Sequence, residues 1–269
     1  MYDVVIIGGG PGGYAAALYA HNFGLNVALV EKDRVGGTCL LRGCIPAKTW
    51  LKTAEVYTTV KKAAEFGVNT GEASIDWQAA LARKNKVVDG LVKGLSGLLK
   101  ARGVDVVEGT GRLAGGGVDV TGSDGETRRL ETKNVIVATG SQPRAIPGYD
   151  FDGHRVVSSR EALDWTERPQ RVAVIGAGAI GSEFASLLGD AGSEVHLFEM
   201  LDQVVPGAEP EAAKTLAREL KKKDVKVRTG VAVGPAEVHD SRVVIPFEGD
   251  YVEVDKVLVA VGRAPVTDN

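Results

Sequence analysis

Cysteine is nearly absent from this chain of 269 residues: there are two, Cys39 and Cys44. A multi-bridge secreted framework is therefore excluded. Histidine is also scarce. His21, His154, His196 and His239 fall in no ligand spacing, so they read as structural or surface residues and no metal site is expected. Neither sign of charge dominates. The net charge is −3 and the sequence pI is near 5.9, which removes the electrostatic case for nucleic acid or an anionic membrane as partner. No apolar run approaches the ~20 residues of a membrane span. The opening MYDVVIIGGG carries no basic n-region or small-residue cleavage site, so no secretory signal is read. On these grounds the chain is taken as cytoplasmic. Its length predicts two domains.

Glycine, by contrast, is in excess: 35 of 269 residues, against a usual ~7%. Many lie in short clusters at the ends of apolar runs, as phosphate-cradling turns require. Two such clusters belong to a repeat. Val4 to Lys32 and Val172 to Met200 align without a gap over 29 positions with ten identities. The identities include the glycines of G-x-G-x-x-G (Gly8, Gly10, Gly13; Gly176, Gly178, Gly181) and a closing acid, Glu31 or Glu199. In each copy a β-branched run predicts a buried parallel strand. The first glycine allows the tight turn, the second lets backbone approach a pyrophosphate, and the third lets helix pack on strand. The helix N-terminus then offers free N–H groups to phosphate. The acid, eighteen residues after the third glycine, can accept hydrogen bonds from a ribose diol. Two copies imply two dinucleotide sites. Glu199 is followed by Met200, Leu201 and Asp202, with no cation to offset a 2′-phosphate. Such like-charge contact costs several kcal/mol, so the second site predicts NAD rather than NADP.

The two cysteines lie in Gly36 to Lys48, GGTCLLRGCIPAK. In one regular helix their axial rise alone would be about 7.5 Å, beyond the ~7 Å limit for a disulfide. A bridge therefore needs irregular backbone, which Gly43 can supply. Pro46 suits a first helical position, and a helix to about Ala64 would place Cys44 near its positive end, where a thiolate is stabilised. Lys48 adds to that effect. In a reducing compartment such a pair reads as catalytic rather than structural. Two buried free thiols are the bland alternative, which the neighbouring glycines and Thr38 do not suit.

The segment resembles the redox-disulfide stretch of the flavin-dependent pyridine nucleotide–disulfide oxidoreductases of class I. Their dihydrolipoamide-oxidising branch usually reads GGTCLNVGCIPSK. Leu41, Arg42 and Ala47 depart from that wording, while the cysteine spacing is kept. The likeness continues through VIVATGSQP (Val135 to Pro143) and VLVAVGRAP (Val257 to Pro265). The resemblance implies an α/β fold of two Rossmann-like dinucleotide-binding domains, three-layer ββα, the second inserted in the first, with the dimerisation domain absent. Residues 1–147 would form the N-terminal part of an FAD-binding domain with the redox disulfide. Residues 148–264 would form an NAD-binding domain, and 265–269 would begin the return to the first.

The resemblance also implies roles. Cys39 would be the interchange thiol and Cys44 the thiolate against the flavin ring. Lys48 would sit beside the flavin and pair with Glu183. Gly8, Gly10, Gly13, Glu31 and Lys32 would hold FAD, with Gly37, Thr38, Lys48, Gly111, Thr139, Gly140 and Ser141 adding contacts. Gly176, Gly178, Gly181, Glu199, Val231 and Gly262 would hold NAD. The implied substrate is dihydrolipoamide, free or on the lipoyl domain of a 2-oxoacid dehydrogenase complex, and the full-length protein would be a homodimer. Glutathione-type reductases are disfavoured by Glu199. A mercuric-reductase-like enzyme stays open, as does a non-catalytic dinucleotide-binding module. In the family a Gly-Asp flavin grip and a His–Glu base follow later in the chain. Neither occurs here, so the chain is expected to be a C-terminally truncated piece, inactive in the full reaction and weak in FAD binding.

Overall fold

The computed structural model describes residues 1–267; the last two positions of the expected return segment 265–269 lie outside the described residues. The chain divides into two compact units, one of residues 1–46, 85–142 and 264 onward, the other of 47–84 and 143–263.

The first unit opens with strand β1 (Tyr2–Ile7), helix α1 (Pro11–Asn22) and strand β2 (Val27–Glu31). Helices α2 (Gly37–Arg42), α3 (Cys44–Lys61) and α4 (Trp77–Ala101) follow, and then strands β3 (Asp105–Glu108), β4 (Thr110–Ala114), β5 (Gly117–Thr121) and β6 (Thr127–Val137). The sheet order is β3-β2-β1-β6-β5-β4. Its first four strands run parallel, while β5 and β4 continue it antiparallel. β1 shows why. Its residues are buried on both sides and alternate with the two-residue period of a strand. Val4 and Ile6 join Ala17 of α1 and Leu99 of α4 on one face. Val5 and Ile7 join Val118, Val120 and Leu130 on the other. Helices thus cover one side and the antiparallel strands the other.

The sequence suggests two separate strands around TRRLE and NVIVATG. The structure makes them one, because β6 serves both layers. Thr127–Glu131 pair with β5, and Thr132 to Val137 pair with β1.

Short strands β7 (Ser141–Pro143) and β8 (Val156–Val157) lead into the second unit. It continues as α5 (Ser159–Ala162), β9 (Arg171–Ile175), α6 (Ala179–Asp190), β10 (Glu194–Glu199), α7 (Pro210–Lys221), β11 (Lys226–Thr229), β12 (Glu237–Val238), β13 (Val243–Phe247), β14 (Asp250–Val254) and β15 (Lys256–Val259), and the chain then re-enters the first unit in β16 (Arg263–Pro265), which pairs with β7. A parallel sheet of order β11-β10-β9-β15-β8 carries a second, three-stranded sheet β12-β13-β14. The alternation repeats. Val172, Val174, Val195 and Leu197 meet α6 and α7 through Leu187, Leu188 and Leu220. Ala173, Ile175 and Phe198 meet Val243, Ile245 and Val254. Each unit is therefore a three-layer ββα arrangement.

Residues 47–84 pack with the second unit for reasons the periodicity does not show. Trp50 is buried and its indole N–H donates to the Leu163 carbonyl at 3.1 Å. Trp77 stacks on Trp50 with ring centroids 4.3 Å apart and donates to the Trp165 carbonyl. Lys84 is 4% exposed, donates to the Leu163 carbonyl and pairs with Asp164. Asp76 caps α4 by accepting from the Ala79 N–H. The apolar stripe expected on this helix, Trp77, Leu81, Leu91, Leu95 and Leu98, is only half realised. Leu91 and Leu98 are exposed, and Ala80, Val88 and Leu99 take the buried positions.

Candidate dinucleotide sites and redox disulfide

The two glycine turns are alike down to single hydrogen bonds. A Cβ on Gly13 would lie 1.7 Å from the Gly8 carbonyl oxygen, and one on Gly181 would lie 1.9 Å from that of Gly176. Helix and strand can therefore close on each other only over glycine. Gly8 and Gly176 hold φ of 108° and 94°, in the region that favours glycine. Gly10 and Gly178 cap α1 and α6. The acids match too. Glu31 accepts the Gly9 N–H at 2.7 Å and the Asp33 N–H at 2.9 Å. Glu199 accepts the Ala177 N–H at 2.7 Å and the Leu201 N–H at 3.0 Å. Each acid thus fastens its own glycine turn.

In the first unit, Gly8, Glu31, Lys32, Gly111 and Thr139 line one cleft, together with Val266. Thr139 donates its hydroxyl to the Val266 carbonyl at 2.6 Å, and the Val266 N–H donates to Gly140. Ser141 begins β7. In the second unit, the Val231 N–H donates to the Glu199 carbonyl, and Gly262 holds φ of 119°. Sequence reasoning missed Gly109 and Val266. The first had a legible signal, the G-T-G run after β3. Gly109 holds φ of 143° and donates its N–H to the Glu31 carbonyl.

Cys39 and Cys44 form a disulfide with Cα atoms 4.6 Å apart. The backbone breaks at Gly43, as the sequence suggested, while α3 starts ahead of Pro46 rather than at it. Cys39 lies in α2, Gly43 ends that helix, and Cys44 is itself the first residue of α3. A Cβ on Gly43 would come within 2.9 Å of the Thr38 carbonyl oxygen, so the break needs glycine. Cys44 lies at the positive end of an 18-residue helix. It is exposed, whereas Cys39 is half-buried. The start of α2, with Thr38 in its first turn, is locked to the first glycine turn. The Gly36 N–H donates to the Gly9 carbonyl at 2.8 Å, and a Cβ on Gly37 would lie 2.4 Å from the Gly10 Cα.

Lys48, one turn beyond Cys44 on α3, pairs with Glu183 of α6. Their side chains are 59% and 36% exposed, so the pair adds little stability. His196 is a structural histidine, as expected. It is buried between Glu194 and Arg228 at 3.0 and 3.1 Å, and burial pushes its pKa down. Among the described residues no cluster could hold a metal ion, and no helix is long and apolar enough to cross a membrane.

Compared with known families, residues 2–269 match the pyridine nucleotide-disulphide oxidoreductases. The chain belongs to that family. Among curated members it is 42% identical to a dihydrolipoyl dehydrogenase of Chlorobaculum parvum, with all of this chain aligned. It is also 42% identical to a dihydrolipoyl dehydrogenase of Bacillus subtilis over 97% of this chain. It spans 58% of the length of each. Among solved structures, LpdA of Mycobacterium tuberculosis superposes with a TM-score of 0.92 at 27% identity, over 100% of this chain and 60% of that one. The flavoprotein disulfide reductase RclA of Escherichia coli gives 0.83 at 27% identity, over 99% and 57%.

Proposed function

We propose that the chain is the nucleotide- and disulfide-bearing part of a dihydrolipoyl dehydrogenase, with FAD at the first turn and NAD at the second. Residues 1–147 serve FAD and 148–264 serve NAD. The observation that carries this reading is the Cys39–Cys44 disulfide on a helix pair that is fastened at Gly36 and Gly37 to a dinucleotide turn. FAD fits the first unit. Gly8 lies against Ala138, whose carbonyl oxygen a Cβ would meet at 2.2 Å, and it lines the cleft beside Glu31 and Thr139. Glu31 and Lys32 lie at the cleft's rim and Gly111 and Thr139 line its wall. When bound, FAD supplies two-electron chemistry between a thiolate and a nicotinamide.

The residues' own part begins at sulfur. A dihydrolipoamide thiolate attacks Cys39, the Cys39–Cys44 bond breaks, and Cys44 leaves as thiolate. The second substrate thiol then attacks the mixed disulfide, closes the lipoamide ring and frees the Cys39 thiol. Two electrons and two protons leave the substrate. The α3 N-terminus and Lys48, four residues on, hold the negative charge on Cys44. Glu183 orients Lys48. The complete protein would act as a homodimer on a lipoyl domain of a 2-oxoacid dehydrogenase complex in the cytoplasm, where a reversible disulfide suits the reducing poise.

Glu199→Arg tests the second site. It should lower NAD affinity and raise that for NADP, moving the ratio by on the order of 10²-fold, from several kcal/mol of reversed charge contact. Calorimetric titration of each nucleotide reads it. An unchanged ratio would remove Glu199 from the ribose.

A further inference from the structure

α2 is tied down at both ends, and only one tie belongs to the glycine motif. At its N-terminus the Gly36 N–H is bonded to Gly9. At its C-terminus Arg42, where the sequence departs from the family's usual wording, makes an ion pair with Asp33. Asp33 is anchored in turn, because its N–H donates to Glu31 at 2.9 Å. The other oxygen of Glu31 holds the Gly9 N–H. A path of polar contacts therefore runs from the glycine turn through Glu31 and Asp33 to Arg42, which the chain joins directly to Gly43 and Cys44. Both members of the ion pair are partly covered, at 35% and 39% side-chain exposure. Burial works against the Asp33 charge, but Arg42 and the Arg34 N–H outweigh it and hold the carboxyl below its ordinary pKa.

We propose that Asp33 and Arg42 are positioning residues that clamp the end of α2 and so keep the Cys39 and Cys44 sulfurs within bonding reach. The proposal rests on reading the pair as a reversible redox disulfide. Its logic is effective concentration. An intramolecular disulfide is favoured in proportion to how tightly the backbone holds one thiol at the other. Gly43 between them is a free joint, so the fixed end of α2 supplies that restraint. Releasing it leaves the thiols more room and shifts the equilibrium toward the dithiol. An exposed ion pair is worth no more than about 1 kcal/mol, which sets the scale at a few-fold.

The test is a redox titration of the 269-residue chain with dithiothreitol and its cyclic disulfide, which donate and accept two electrons and two protons. Reacted thiols are counted after alkylation. Arg42→Gln and Asp33→Asn should each shift the midpoint ratio toward the dithiol by about 3- to 5-fold, or ~15–20 mV. The exchanged pair Asp33→Arg with Arg42→Asp should return to within about 2-fold of the parent, as a double-mutant cycle requires of a direct interaction. Raised salt should move the parent toward the variants. Arg42→Lys, which keeps the charge, should stay near the parent and guards against misfolding as the cause. Single variants that titrate with the parent, or an exchanged pair that shifts as far as the two singles together, would overturn the clamp alone. A parent pair that never titrates as a disulfide would overturn both the clamp and the proposed function.

Discussion

In the complete protein, changing Cys39 to Ser should slow reduction of the bound flavin by dihydrolipoamide by on the order of 10³-fold or more, the scale for losing a covalent catalytic partner. NADH should still reduce it at close to the parent rate. The asymmetry follows from where the sulfurs sit. Cys39 is half-buried in α2, and Cys44 begins α3. A serine hydroxyl cannot form the bond that a substrate thiolate breaks, so the dithiol path loses its acceptor. On the proposed reading the nicotinamide path does not use the Cys39 sulfur. Rapid-mixing absorbance with each reductant separates the two. Equal loss on both paths would show that Cys39 supports the flavin site rather than the exchange.

Changing Gly13 to Val should remove FAD binding and destabilise the first unit by about 3 kcal/mol or more. The Cβ alone would lie 1.7 Å from the Gly8 carbonyl oxygen and 3.4 Å from Leu29. Overpacking of a close-packed contact costs about 1–3 kcal/mol. Here the obstruction is backbone that cannot rotate away, so the turn must open and the α1 N-terminus with it. Glu31 would then lose the Gly9 N–H. Thermal denaturation and equilibrium dialysis with FAD read the two effects. Gly178→Ala is the contrast, since a Cβ there meets nothing within 4 Å, and the fold should stay near parent stability. A Gly13→Val chain that binds FAD as the parent does would mean that the first turn is not its site.

The alternating strands, the paired turns and their acids were legible because they depend on local spacing. The break between the cysteines was legible at Gly43, but the start of the next helix was not. α3 starts at Cys44, two residues before Pro46, because the chain closes the helix pair over Gly43. The grouping of residues 47–84 was not legible. It depends on Trp50, Trp77 and Lys84 finding the Leu163 and Trp165 carbonyls at sequence separations of 79 to 113. Periodicity also favoured Leu91 and Leu98 over Lys84 as core, since a lysine is rarely buried without a partner. Asp33 and Arg42 read as ordinary surface charges until their shared tie to Glu31 is seen.

The central claim is that electrons entering at the second turn reach the sulfurs beside the first. It is tested most directly by counting thiols in the anaerobic chain saturated with FAD, before and after NADH. Two new thiols per chain should appear when both nucleotides are present, and none with either alone. A flavin that bleaches with NADH while the thiol count stays at zero would contradict the account.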